Sequence, residues 1–275
     1  MKNRKLIWKI CIVLVLLGIL LVHLYPILLI FISAVKTKAE MAANPFGFPK
    51  EITWEYFIKA ADKMQYGQSV WNSALIVVVV VGILLLTSSM AAYAISRRGG
   101  IYNIFYFIFL VGMLVPFQMI MIPLYKYLMN FHMINKLSGV MCVYLATLAP
   151  FSVFLLTGFI KSVPKELEES AYLDGAGCYR AFFAIIFPLL RPSLATVAVL
   201  NAFTIWNDYL MPMLYLQSKD KLTLTVTLAN FQGMYFNDWS MIFAGVCLIV
   251  LPILILYLLA QKYIIGGMTA GAVKG

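Results

Sequence analysis

Residues 10 to 35 carry no charged side chain. At 1.5 Å of rise per residue, a helix of that length crosses the ~30 Å hydrocarbon core of a bilayer. Comparable apolar runs recur along the chain. In lipid, every backbone N–H and C=O must be paired within the protein, so only helices or a closed barrel can span. Barrel strands alternate polar and apolar over about ten residues, whereas these runs are continuous. Composition agrees: 63% of the residues are hydrophobic and 12% charged, against about 25% charged in a soluble domain. The expected fold class is an all-α integral membrane protein with six transmembrane helices. The spans are expected near residues 10–35, 71–95, 101–125, 137–160, 192–214 and 239–261, within one transmembrane domain over 1–275.

The first apolar run follows Lys2, Arg4, Lys5 and Lys9. It exceeds the ~7–15 residues of a cleavable signal and reads as a retained anchor, with Pro26 as a kink. Residues 36–69 form a charged loop in which Trp54, Tyr56 and Phe57 suit a short helix near the membrane surface. Ser88, Ser89, Ala91, Ala92 and Ala94 give the second span a small-residue face that permits close helix approach. Arg97-Arg98-Gly99-Gly100 then ends it in a tight turn. Pro116 and Pro123 interrupt the third span, which either lines a pathway or is a kinked packing helix. Pro150 sits inside the fourth span, and Asp208 interrupts the fifth. A loop from Lys219 to about Asp238 precedes the sixth, and residues 262–275 form a tail rich in glycine.

The formal charge of +10 does not indicate nucleic acid, because the bases lie in short loops beside apolar runs. There they set orientation. Six spans put both termini on one side. That side collects 12 of the 21 Lys and Arg residues, including the four ahead of the first span. It is therefore assigned to the cytoplasm, together with the break at 161–191. Of the four cysteines, Cys11, Cys142, Cys178 and Cys247, none forms a C-x-x-C pair. They read as small hydrophobes, and no metal site is expected.

The break at 161–191 interrupts the apolar pattern most sharply. Glu166, Glu168, Glu169 and Asp174 fall within nine positions there. Pro164 suits a helix's first turn, and the three glutamates sit at the positive end of the helix dipole. Leu167 and Ala171 are one turn apart, and Asp174-Gly175 can end the helix at a residue tolerant of positive φ. A helix resting on anionic lipid favours Lys and Arg. This acidic, small-faced helix instead suits a groove on a basic protein partner.

The spacing Glu169-Ser170-Ala171, three residues, Gly175, nine residues, Ile185, one residue, Phe187-Pro188 resembles the "EAA" loop of ABC importer permeases. That loop reads E-A-A-x3-G-x9-I-x-L-P, and the departures here are Ser170 and Phe187. Asp174-Gly175-Ala176, Trp206-Asn207-Asp208-Tyr209 with Pro212, and the ending from Gly266 to Gly275 resemble further segments of carbohydrate permeases of the six-span, maltose-permease type. The resemblance implies a multi-pass subunit of the bacterial cytoplasmic (inner) membrane with both termini cytoplasmic. It also implies a second homologous permease, a dimer of ATPase subunits, an extracytoplasmic solute-binding protein and a sugar substrate. The coupling contact would fall on Glu169 and Gly175, with Leu167, Ala171, Glu166, Ser170, Asp174, Ile185 and Pro188 around them. Closure of the ATPases would swing the hook as a lever on spans three to five.

The sequence holds no G-x-x-x-x-G-K-[ST] phosphate loop. ATP and Mg would therefore belong to the partner ATPases; no cofactor and no catalysis are expected of this chain. Asn201, Trp206, Asn207, Asp208, Tyr209, Gln118 and Tyr125 are candidates for the substrate pathway. Their polar groups serve either sugar hydroxyls or interhelical hydrogen bonds, and Trp206 also suits an interfacial anchor. The competing classes are a proton-coupled secondary carrier, which would use Asp208, and an ABC permease for a sugar phosphate or polyol.

Overall fold

The computed structural model describes the backbone of residues 2–234 and 238–272, and the side chains of residues 8–231, 238–258 and 261. No strand occurs among the described residues. The helices are α1 (Lys2–Ala34), α2 (Lys38–Ala43), α3 (Glu55–Lys63), α4 (Tyr66–Arg98), α5 (Ile101–Leu114), α6 (Phe117–Asn130) and α7 (Leu137–Lys161). They continue as α8 (Glu166–Leu173), α9 (Cys178–Leu189), α10 (Arg191–Asn207), α11 (Leu210–Tyr215), α12 (Leu224–Met234) and α13 (Trp239–Ala272).

Four of these, α1, α4, α7 and α13, are long and apolar enough to cross a membrane alone. Two bent pairs, α5 with α6 at 100° and α9 with α10 at 73°, bring the number to 6 if each pair is one span. Both bends have a proline cause. Val115 precedes Pro116, which forces it to an extended φ of −81° and ψ of 111°. Pro192 lies in the first turn of α10, where its ring starts a helix but cannot continue one.

The chain divides into two compact units, Met1–Gly67 with Thr227–Pro252, and Gln68–Val226 with Ile253–Gly275. In the first, α1 is exposed from Trp8 through Tyr25, as expected of a helix apolar all round whose neighbours are lipid or another chain. The segment after it is tightly built. Lys36 is fully buried, and its Nζ donates to the carbonyls of Asn44 at 2.9 Å and Pro45 at 3.0 Å. Thr37 caps α2 by accepting from the Glu40 amide, and the Tyr56 hydroxyl accepts from the Lys38 amide. Lys59 pairs with Glu55 one turn earlier, and that hydrogen bond raises its pKa.

Helix α4 starts at Tyr66, ahead of the expected 71, and belongs to the second unit from Gln68 onward. Polar Gln68, Asn72 and Ser73 are tolerated in it because they are bonded. Asn72 accepts from Gln68 Nε2 and donates to the carbonyls of Asp220 and Leu222, and Ser73 accepts from the Leu224 amide. Its small face is buried as expected at Ser88, Ser89 and Ala92. Ala92 and Tyr93 pack with Leu156 and Ile160 of α7 and with Phe182, Ile186, Leu190, Leu194 and Val197 of α9 and α10. The expected 219–238 loop contains α12, so half of it is helical; residues 235–237 of that loop lie outside the described residues. The 262–275 tail is helical through Ala272, and its side chains lie outside the described residues, as do those of Lys2, Arg4 and Lys5.

Candidate functional site

The break at 161–191 folds into a two-limbed hook, α8 and α9. Its first limb starts at Glu166 with Lys165 as N-cap, so Pro164 lies outside the helix, two residues before the first turn rather than within it. Glu166, Glu168 and Glu169 occupy the first turn, where the unpaired amides favour negative charge. Gly175, at φ +78°, ends it. The Ala176 amide donates to the Ala171 carbonyl at 2.9 Å, and the Gly175 amide to Tyr172 at 3.0 Å. These are the two bonds of a Schellman cap, which needs a left-handed residue at this position.

The two limbs are held differently. The second limb is held by packing: Phe182 and Ile186 are buried in the apolar cluster, with Ile185 and Phe187 against its edge. A π turn at Phe182–Ile186 precedes Pro188. The Phe187 amide reaches back to the Phe182 carbonyl, widening the helix just where the proline ring would meet the preceding turn.

The first limb is held by charge. Glu168 is 4% exposed. Its Oε1 accepts from Arg97 Nε at 2.6 Å and its Oε2 from the Tyr93 hydroxyl at 2.7 Å. Tyr172 lies 3.2 Å from the same Tyr93 oxygen. Tyr93 has one proton and gives it to the carboxylate, so Tyr172 is the donor in that pair. Arg97 Nη2 also donates to the Val163 carbonyl at 2.9 Å. Arg97 therefore grips both the connector leaving α7 and the helix that follows it. Glu168 is buried and Arg97 nearly so, at 6% and 11% side-chain exposure. Removing one partner of such a pair costs on the order of 3–5 kcal/mol, because the other is left charged and unpaired.

The outward face of α8 is the other half of the site. Glu166, Leu167, Glu169, Ser170 and Asp174 are exposed, and Leu173 is 89% exposed. Leu167 and Ala171 do not share an environment although they are one turn apart: Leu167 is exposed and Ala171 buried. The inward face is the i, i+3 pair of Glu168 and Ala171, which displaces Leu167 to the rim. Ile185 and Pro188 are half-buried behind the surface. Sequence reasoning passed over Glu168; the signal for it was its i, i+3 spacing to Ala171 and the arginine pair ending the second span.

The pathway candidates do not converge. Asn201 is 1% exposed and donates to Ser152 Oγ of α7 at 2.9 Å. Asp208 also faces α7, accepting from the Tyr144 hydroxyl at 2.8 Å and from the Leu210 amide at 2.9 Å. Its carbonyl accepts from Thr225 Oγ1. Asp208 thus closes α10, opens α11 and ties both to α7. Trp206 is buried. Asn207 is exposed and donates to the Phe203 carbonyl of its own helix, and Tyr209 is exposed. Gln118 is exposed at the start of α6. Tyr125 stacks on Tyr215, with centroids 6.2 Å apart, and accepts from Gln217 Nε2. Nearby, Asn135, at φ +59°, accepts from the Gln217 and Ser218 amides through Oδ1 and donates to Ser218 Oγ. Sequence reasoning did not single it out.

Apolar helices of spanning length, with two further bent pairs, and an acidic hook clamped between α7 and α10 define a multi-pass membrane protein. Residues 83–266 match the model of the binding-protein-dependent transport system inner membrane component family, and the chain belongs to that family. The multiple sugar-binding transport system permease protein MsmG of Streptococcus mutans is 38% identical over 94% of this chain and 93% of its own. The melibiose/raffinose/stachyose import permease protein MelC of Bacillus subtilis is 35% identical over 92% of each. A chain in the crystal structure of a bacterial ABC transporter involved in the import of the acidic polysaccharide alginate superposes with a TM-score of 0.81. It matches 94% of this chain and 96% of its own at 24% identity, and so shares the fold.

Proposed function

We propose that this chain is one of two related permease subunits of an ATP-driven carbohydrate importer and forms half of its translocation path. The observation that carries the reading is the two-faced α8. Its inner face is clamped to α4 through Glu168, and its outer face offers Glu169, Leu173 and the rest of an acidic, apolar-tipped ridge. A ridge held this rigidly and left this exposed suits a groove on a partner.

The partner in this reading is a dimer of ATPase subunits that bind ATP and Mg, since the chain has no phosphate loop of its own. The chain itself is non-catalytic. The hook and both termini face the cytoplasm, and a solute-binding protein delivers the sugar on the other side. The family's dependence on a binding protein supports that arrangement, and the two permease relatives support an oligosaccharide or related sugar. ATP closes the ATPase dimer, and the hook's different contacts in the open and closed states bias the permease between its two accesses.

The test is reconstitution of the complex in proteoliposomes with the binding protein, with a sugar panel screened for stimulated ATP hydrolysis and uptake. Glu169→Lys is expected to abolish uptake or release the ATPase subunits while the permease still inserts. Wild-type uptake and wild-type ATPase association in that variant sink the proposal.

A further inference from the structure

We propose that Glu168 is the positioning residue that couples the hook to α4, the second span, and that this joint stays closed throughout the transport cycle. The inference deepens the importer reading and rests on it. It changes which helices the lever moves: a hook linked only through its own connectors would act on α7 and α10.

Three observations carry it. First, Tyr93 and Arg97 are one turn apart on α4 and so share a face, and each donates to a different oxygen of the same carboxylate, Tyr93 to Oε2 and Arg97 to Oε1. A bidentate grip of this kind fixes orientation as well as distance. Second, Arg97 also holds the Val163 carbonyl. The end of α7, the connector and α8 are thereby gathered on one guanidinium. Third, the apolar packing on α4 belongs to the second limb, where Phe182 meets Tyr93 with ring centroids 5.2 Å apart, whereas α8 itself is tied to α4 through the Glu168 joint. An open cleft of about 250 Å³ between α4 and the start of α9, with Met90, Ala94, Arg98, Cys178 and Tyr179 on its walls and Tyr93 and Phe182 also lining it, leaves the rest of that face unfilled. Movement of α8 therefore either breaks the buried Arg97–Glu168 pair or takes α4 with it. Because a buried charge left without its partner is costly, the closed joint is the cheaper route.

Glu168 and Glu169 then divide the work. Glu169 faces outward and meets the partner. Glu168 faces inward and transmits what the partner does. Glu168 touches neither sugar nor nucleotide; it acts through Arg97 and Tyr93.

The experiment uses the complex with its ATPase subunits in proteoliposomes, with the native cysteines replaced by alanine. One nitroxide is placed on Lys165, the exposed N-cap residue of α8 whose side chain caps nothing (K165C), and one on exposed Leu86 of α4 (L86C). Pulsed EPR reads the pair distance without nucleotide and with ATP and vanadate. The expected result is one narrow distance, the same in both states. In Glu168→Gln it shifts or broadens on ATP, and exchanging the charges (Arg97→Glu with Glu168→Arg) narrows it again. A joint that serves folding alone has no such nucleotide dependence. A wild-type distance that changes on ATP overturns the inference, as does a Glu168→Gln distance that stays at the wild-type value in both states. The wild-type measurement alone decides the matter if a variant does not insert. If no ATPase subunit assembles with the wild-type chain, it is the importer reading that falls, and the inference falls with it.

Discussion

The two ends of the second unit use their polar residues in opposite ways. At the hook end, three glutamates begin one short helix, and the fold buries one of them and leaves two facing out. At the far end, Asn72, Asn135, Tyr144 and Asp208 bond backbone and one another across loops and helix ends. That end closes on itself, whereas the hook closes on one face only. Asp208, which sequence placed among the sugar candidates, resembles Glu168 in its use, since both carboxylates tie a helix end to a tyrosine on a neighbouring helix. Polarity inside a membrane protein therefore does not mark a pathway by itself. What separates a joint from a site is whether the polar atoms already have protein partners.

The largest effect is expected at the hook. Arg97→Ala leaves Glu168 charged and buried, and should destabilise the protein by about 3–5 kcal/mol, read as a lower melting temperature in detergent. Asp208→Ala removes the acceptor of the Tyr144 hydroxyl and the Leu210 amide. Unmaking such bonds at a buried group costs about 1–3 kcal/mol, with Asp208→Asn milder because it keeps an acceptor. If Asp208→Asn leaves the melting temperature unchanged yet abolishes sugar-stimulated ATP hydrolysis, the carboxylate is a pathway group and the contrast between the two ends fails.

Gly175→Ala should cost about 1–2 kcal/mol, because the residue is held at positive φ. Space is not the cause, since an added Cβ meets nothing within 4 Å. The loss should therefore appear as faster amide exchange at Gly175 and Ala176. Asn201→Ala should cost about 0.6 kcal/mol, the usual worth of a hydrogen bond between membrane helices. Leu173→Ser is expected to move stability by less than about 0.5 kcal/mol while weakening ATPase capture in a pull-down. A large melting shift in that variant would mean that the outward face is part of the core.

Much of the molecule was legible before folding. Helices of spanning length follow from continuous apolar runs, because lipid offers no other partner for the backbone. The bends at Pro116 and Pro192 follow from the ring's missing N–H and its fixed φ, and the Gly175 stop from the same backbone logic. What the residues could not disclose was which of several similar side chains turns inward. Glu166, Glu168 and Glu169 are chemically alike, and Leu167 and Ala171 share a helical face by spacing. Their separation depends on where Arg97 and Tyr93 stand, some 71 and 75 residues away along the chain.

The same holds for Asn201 and Asp208. Sequence grouped them as pathway candidates, and only tertiary structure supplied Ser152 and Tyr144 as their partners. Local rules therefore determined the elements of this protein, because backbone chemistry and bilayer thickness act within a few turns of helix. The roles of its polar residues were decided by packing, because a buried polar atom takes its meaning from whichever distant group satisfies it.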